Sequence, residues 1–121
     1  FLRGFAPTAL RRRGERAIAR YEMRDVIGDA YVDDVPLASG CFMLVRTPLF
    51  RRLGGFDARF FMYFEDYDLS VRLRREARIA YEPRARIVHH GGDASRKGMR
   101  HIAWFTASAA RFFARHGWKL F

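Results

Sequence analysis

Cysteine is almost missing from this 121-residue sequence. Cys41 stands alone, so no disulfide can form within the chain, and a buried structural thiol in a reducing compartment is expected. Lysine is nearly as scarce: Lys97 and Lys119 stand against 21 arginines in a formal net charge of +10. No apolar run approaches the ~20 residues that a membrane-spanning helix needs. There is no signal peptide, no internal repeat and no low-complexity segment, and the opening at Phe1 makes a piece of something longer the expectation. What is present is a folding composition. Half of the residues are hydrophobic and 16% are aromatic, which excludes a disordered tail and fits one domain, or part of one, with a modest core. The positive charge suits nucleic acid, anionic lipid or a phosphorylated ligand. A genome that favours arginine codons accounts for it equally well.

Periodicity divides the chain into three stretches. Residues 1–36 read as a variable basic helix and a loop. Thr8 caps a helix to Asp25, with Leu10, Ala17, Ile18 and Tyr21 on one face and Arg11, Arg12, Arg13, Arg16, Arg20 and Arg24 on the other. Residues 37–95 hold the polar motifs. Leu37 to Arg46 is a nearly continuous apolar run of strand length, suited to a strand covered on both faces. Thr47-Pro48 opens a short helix that Gly54-Gly55 stops. A second helix is expected from about Glu65 to Glu76, with Leu69, Leu73 and Ala77 at spacing four. Its Asp68 and Arg72 form an i,i+4 pair worth only a few tenths of a kcal/mol. Short strands are expected over 79–83 and 85–89, on either side of a proline turn. Residues 96–121 carry a last amphipathic helix from Met99 to His116, with Ile102, Phe105, Ala109, Phe112 and Phe113 inward and Gly117 as its stop.

The most informative stretch is Gly54-Gly55-Phe56-Asp57 followed by Phe60-Phe61-Met62-Tyr63-Phe64-Glu65-Asp66-Tyr67-Asp68-Leu69. Two adjacent carboxylates follow an aromatic run at a helix start. Unpaired backbone N–H groups in a first turn favour the Asp66 anion, while aromatic neighbours desolvate it. Such a carboxylate can take a proton from a hydroxyl, and Glu65 can orient that hydroxyl. Acids are also common capping residues in first turns, and spacing alone favours that plainer role. His89 ends an expected strand before Gly91-Gly92, where an imidazole can ligate a divalent metal or donate to a phosphate. Ser95, Arg96 and Lys97 can hold phosphate oxygens, or form an ordinary solvated helix start.

These motifs occur together, in order and at matching spacing: Ser39-Gly40-Cys41-Phe42-Met43-Leu44-Val45-Arg46, Gly54-Gly55-Phe56-Asp57, Phe61 to Leu69, Arg72-Leu73, Tyr81-Glu82-Pro83-Arg84-Ala85 and Val88-His89-His90-Gly91-Gly92. In this the chain resembles the C-terminal half of glycosyltransferase family 2 enzymes, especially the rhamnosyltransferase-like branch that builds bacterial surface polysaccharides. The resemblance is close over residues 37–95 and loose over the last helix. It implies an α/β chain that is the C-terminal portion of a GT-A fold, a small mixed sheet flanked by helices. It also implies inverting transfer of a sugar from a nucleotide-sugar donor to a glycan or lipid-linked acceptor. Asp66 matches the catalytic base, Glu65 the acceptor-binding acid, and His89 a position that helps hold a divalent metal (Mn²⁺ or Mg²⁺) on the donor diphosphate. Ser39 and Gly40 match a segment lining the donor-sugar pocket. Asp57, Tyr63, Ser95 and Arg96 are assigned to substrate binding with them.

Two departures qualify the resemblance. The nucleotide-binding half of the family, with its Asp-x-Asp metal motif, has no counterpart here; Asp29 and Asp33-Asp34 lack the apolar strand before it. The chain is therefore expected to be the acceptor-side half, inactive alone. The helix after the carboxylates also lacks the glycine that often ends it. A cytoplasmic placement, peripheral on the inner face of an anionic membrane through the basic helices, is the accompanying expectation. The rival readings are a nucleic-acid-binding module built on the arginine-rich helix and a non-catalytic interaction module. No nucleic-acid motif supports the first, and the aromatics gather around acids rather than arginines.

Overall fold

The computed structural model describes residue 23, residues 26–90 and residues 98–117. The expected basic helix over residues 8–25 falls outside them except for Met23. Three helices are described: α1 (Thr47–Arg52), α2 (Glu65–Leu73) and α3 (Met99–His116).

Helix α1 is short because its ends are written into the sequence. Pro48 lies in its first turn, where a missing N–H costs nothing. Arg51 and Arg52 lie in its last turn, where cations suit the dipole. Gly54 and Gly55 then take φ of 76° and 68°, and a Cβ on Gly55 would come within 3.2 Å of the Phe50 ring. The chain turns there at least cost because glycine takes this left-handed backbone without a Cβ penalty.

Helix α2 begins abruptly. Met62 and Phe64 both hold left-handed backbone, at φ of 62° and 68°, and no side chain caps the helix. Such residues cost on the order of 1–3 kcal/mol each. Burial offsets the cost: Phe64 is 5% exposed, and its ring meets Tyr67, Phe105, Phe112 and Phe113. Burying one such side chain stabilises by ~1.5–3 kcal/mol. The helix ends at Leu73 rather than at Glu76. Without a glycine, the chain leaves through tight turns in which the Glu76 and Ala77 N–H groups both donate to the Leu73 carbonyl.

Helix α3 has the expected bounds, flanked by Gly98 and Gly117 at φ of 88° and 85°. It packs on the aromatic run, so the core is Phe60, Tyr63, Phe64 and Phe112, with Trp104, Phe105, Ala109 and Phe113 against it. Ile102, expected to face inward, is 37% exposed, and Trp104 packs against the core instead.

The strands expected over 37–46, 79–83 and 85–89 do not form among the described residues. A strand needs a partner backbone, and the pairing present is slight. An antiparallel bridge joins Val32 to Tyr81 through bonds of 3.1 and 2.8 Å, and the Val35 N–H donates to the Ile79 carbonyl at 2.7 Å. Leu44 and Val88 accordingly stand 87% and 81% exposed. The mixed sheet of the expected architecture thus has no counterpart among the described residues. Cys41, expected to be buried, is exposed as well.

Candidate functional site

Asp66 sits in the first turn of α2 and is 6% exposed. Its two carboxylate oxygens are separately held. The Gly40 N–H donates to Oδ2 at 2.8 Å, and the Tyr67 N–H donates to Oδ1 at 2.8 Å. Burial pushes this carboxyl above the ordinary carboxylate range, and the backbone N–H donors pull against it. The side chain is not in an ion pair among the described residues. An acid held this way is oriented, poorly hydrated and more basic than a surface aspartate.

Gly40 comes that close because it has no side chain. A Cβ there would lie 3.2 Å from Asp66 Cβ and 3.4 Å from Oδ2. The resemblance assigned Ser39-Gly40 to the donor-sugar pocket and Asp66 to the base; the structure brings Gly40 against Asp66. Ser39, Gly40 and Cys41 are exposed and form the outer side of this contact. Ser39 turns its hydroxyl onto the Cys41 N–H at 3.5 Å.

Glu65 is half-buried, and its Oε2 is enclosed with no hydrogen-bond partner among the described residues. Burial raises this carboxyl, and the neighbouring Asp66 charge adds to the rise. Tyr63 is buried, with its hydroxyl 2.9 Å from His101 Nδ1. Burial, then the Glu65 charge, pushes the phenol up. Glu65 and Tyr63 therefore share one electrostatic environment.

Asp57, assigned to substrate binding by the resemblance, is held by two arginines. Arg59 grips it from two residues on, and Arg115 of α3 donates to its Oδ2 at 2.6 Å. The Arg59 hydrogen bonds hold this carboxyl well below the usual range.

Asp68 is the residue the sequence misread. Its pairing with Arg72 exists, at 2.7 Å, yet the carboxylate is fully buried and also meets His116 Nε2 at 2.8 Å and Arg115 Nη1 at 3.1 Å. Arg72 passes the restraint on, donating to the Leu53 and Gly55 carbonyls at 2.8 Å each. One carboxylate thereby ties α2 to α3 and to the Gly54-Gly55 turn. Ser70, also overlooked in the sequence, is fully buried and bonds both to the Ala38 N–H and to the Asp66 carbonyl.

His89 is exposed, and among the described residues no three of His, Cys, Asp and Glu gather closely enough to hold a metal ion. The described residues do not by themselves make a metal centre. Ser95 and Arg96 lie outside the described residues. A cavity of about 800 Å³ opens between Phe42–Arg46 and Glu76–Ala80. It reaches Ala38, but neither carboxylate of the 65–66 pair nor His89 lines it.

Comparison with known proteins adds two kinds of relative. Over 84 residues the chain is 42% identical to N-acetylglucosaminyl-diphospho-decaprenol L-rhamnosyltransferase of Mycobacterium tuberculosis, covering 66% of this chain and 27% of that protein. Over 92 residues it is 36% identical to rhamnosyltransferase WbbL of Escherichia coli, covering 74% of this chain and 34% of that protein. The chain thus spans about a third or less of the length of these relatives. No family model matches it, and no solved structure matches it.

Proposed function

We propose that this chain is the acceptor-side part of a rhamnosyltransferase-like glycosyltransferase of family 2, in which Asp66 is the base. The observation that carries the reading is the Asp66 carboxylate itself: buried, raised by desolvation, unpaired with any described cation, and aimed by the Gly40 and Tyr67 N–H groups. The similarity to two rhamnosyltransferases supports the reaction class.

In this reading an acceptor hydroxyl approaches past the exposed Ser39-Gly40-Cys41 edge and meets Asp66. Asp66 takes the hydroxyl proton as the oxygen attacks the anomeric carbon of the donor sugar, and the nucleoside diphosphate leaves from the opposite face. The outcome is inversion at that carbon. Positioned proton transfer of this kind contributes typically ~10²–10⁴-fold in rate. Glu65, half-buried beside Asp66, is the acid that orients the acceptor.

The donor is a nucleotide sugar, and the acceptor a glycan or lipid-linked glycan; the Mycobacterium tuberculosis relative is named for transfer of L-rhamnose to N-acetylglucosaminyl-diphospho-decaprenol. The donor-binding half of a GT-A fold is supplied by sequence other than these 121 residues, so the chain alone is inactive. His89 contributes to a divalent-metal or diphosphate site only together with ligands from that half. The formal charge of +10 suits a peripheral position on an anionic membrane.

The test is a transfer assay on the complete protein with nucleotide-sugar donors, followed by anomeric analysis of the product. Inverted product supports the proposal. Retained configuration, or tight and steeply salt-dependent nucleic-acid binding without transfer, contradicts it.

A further inference from the structure

We infer that Ser70 is a positioning residue for the proton-accepting carboxylate, holding the Ala38–Gly40 segment in place so that the Gly40 N–H stays on Asp66. The inference rests on the reading of Asp66 as base, and it assigns a role to a residue outside the matching acidic pair. Ser70 is fully buried on α2, one turn beyond Asp66. Its Oγ accepts the Ala38 N–H at 3.0 Å and donates to the Asp66 carbonyl at 2.8 Å. That one hydroxyl therefore connects the helix turn carrying Asp66 to a segment 32 residues earlier. Two residues beyond Ala38, the Gly40 N–H lies 2.8 Å from Asp66 Oδ2, and a Cβ on Gly40 would lie 3.2 Å from Asp66 Cβ, a tight contact.

The geometry has a direct chemical consequence. Among the described residues, the 38–40 segment has no strand partner to hold it, so its placement depends on side-chain bonds. Loss of the Ser70 hydroxyl strands the Ala38 N–H and frees the segment to move. The Asp66 anion then loses one of its two N–H donors, and its proton affinity rises. Ser70 tunes the base through another residue and touches no reacting atom.

The test uses carboxyl-carbon and amide NMR on the complete protein, with Ser70→Ala and the hydroxyl-retaining Ser70→Thr. Ser70→Ala is expected to raise the Asp66 titration midpoint by about one pH unit or more, as removal of a charge-assisted bond should. Ser70→Thr should stay within a few tenths of a unit. If Ser70→Ala does not fold, the unsubstituted chain still decides: the Ala38 and Gly40 amides should exchange with solvent as one unit, and the Gly40 amide shift should follow Asp66 titration. An unmoved midpoint in Ser70→Ala, or independent opening of the two amides, overturns the inference. A parallel pH–rate profile of the complete transferase separates the two claims. A midpoint that moves by NMR while the rate profile stays put supports Ser70's hold on the carboxylate and overturns the reading of Asp66 as base.

Discussion

Replacing Asp68 by Asn keeps the shape of the side chain and removes the charge on which two helices converge. The carboxylate is fully buried and faces Arg72 Nε at 2.7 Å, His116 Nε2 at 2.8 Å and Arg115 Nη1 at 3.1 Å. Arg72 and His116 are themselves enclosed, with side chains 12% and 2% exposed, whereas Arg115 at 37% can return to water. An amide keeps one oxygen and sets an NH2 group in place of the other, so either Arg72 or the Arg115–His116 side loses its acceptor. Removing one partner of a buried pair costs about 3–5 kcal/mol, against the ~0.3–0.5 kcal/mol of an exposed i,i+4 pair. Since Arg115 can resolvate, the lower end applies, about 3 kcal/mol. That is roughly a fifth to more than half of the ~5–15 kcal/mol that stabilises a domain. A fall of roughly 10 °C in melting temperature should accompany it. Urea unfolding followed by far-ultraviolet circular dichroism measures the loss. A double-mutant cycle with Arg72→Ala should show coupling well above 1 kcal/mol. A cost below ~1 kcal/mol would refute the reasoning and return Asp68–Arg72 to the rank of a surface pair.

Gly40→Ala should disturb the site without greatly harming the fold: a Cβ 3.2 Å from Asp66 Cβ displaces the segment and should lift the Asp66 titration midpoint, readable by NMR. Glu65→Gln should stabilise the chain near neutral pH and raise its melting temperature by roughly 2–4 °C. Burial raises the Glu65 carboxyl, so the stability tied to that group is present below its unfolded value of 4.5 and is lost as pH rises through the folded value. The advantage of Gln should therefore vanish below about pH 4.5, and a gain that persists there would contradict the sign. Asp57 runs the other way: Arg59 holds its carboxyl low, so its stabilising link to Arg115 is present above the unfolded value of 3.8 and is lost as pH falls further. Asp57→Asn should accordingly lower stability at pH 7 and matter less in strong acid, by parallel thermal melts.

Local signals were legible in the sequence and long-range ones were not. The bounds of α3 follow from apolar periodicity between Gly98 and Gly117, and the start of α2 from its acids. The resemblance singled out Gly40 and Asp66 separately, but their contact across 26 residues was not legible. Ser70 and Asp68 were opaque because their decisive partners lie 32 and 48 residues away, and a serine or aspartate on a helix looks the same whether solvated or buried. The left-handed backbone at Phe64 leaves no signature either, since burial of its ring rather than a glycine sustains it. The apolar run over 37–46 misled in the opposite sense. Its composition states a preference for a covered strand, but the described residues supply no neighbour to pair with it.

The measurement closest to the central claim is sugar transfer by the complete protein carrying Asp66→Asn. An amide has one oxygen and can accept only one of the Gly40 and Tyr67 N–H groups, so the melting temperature should fall somewhat with the fold retained. Transfer should fall by about 10²-fold or more for want of a proton acceptor. Full activity in a folded Asp66→Asn protein would remove this carboxylate from the chemistry.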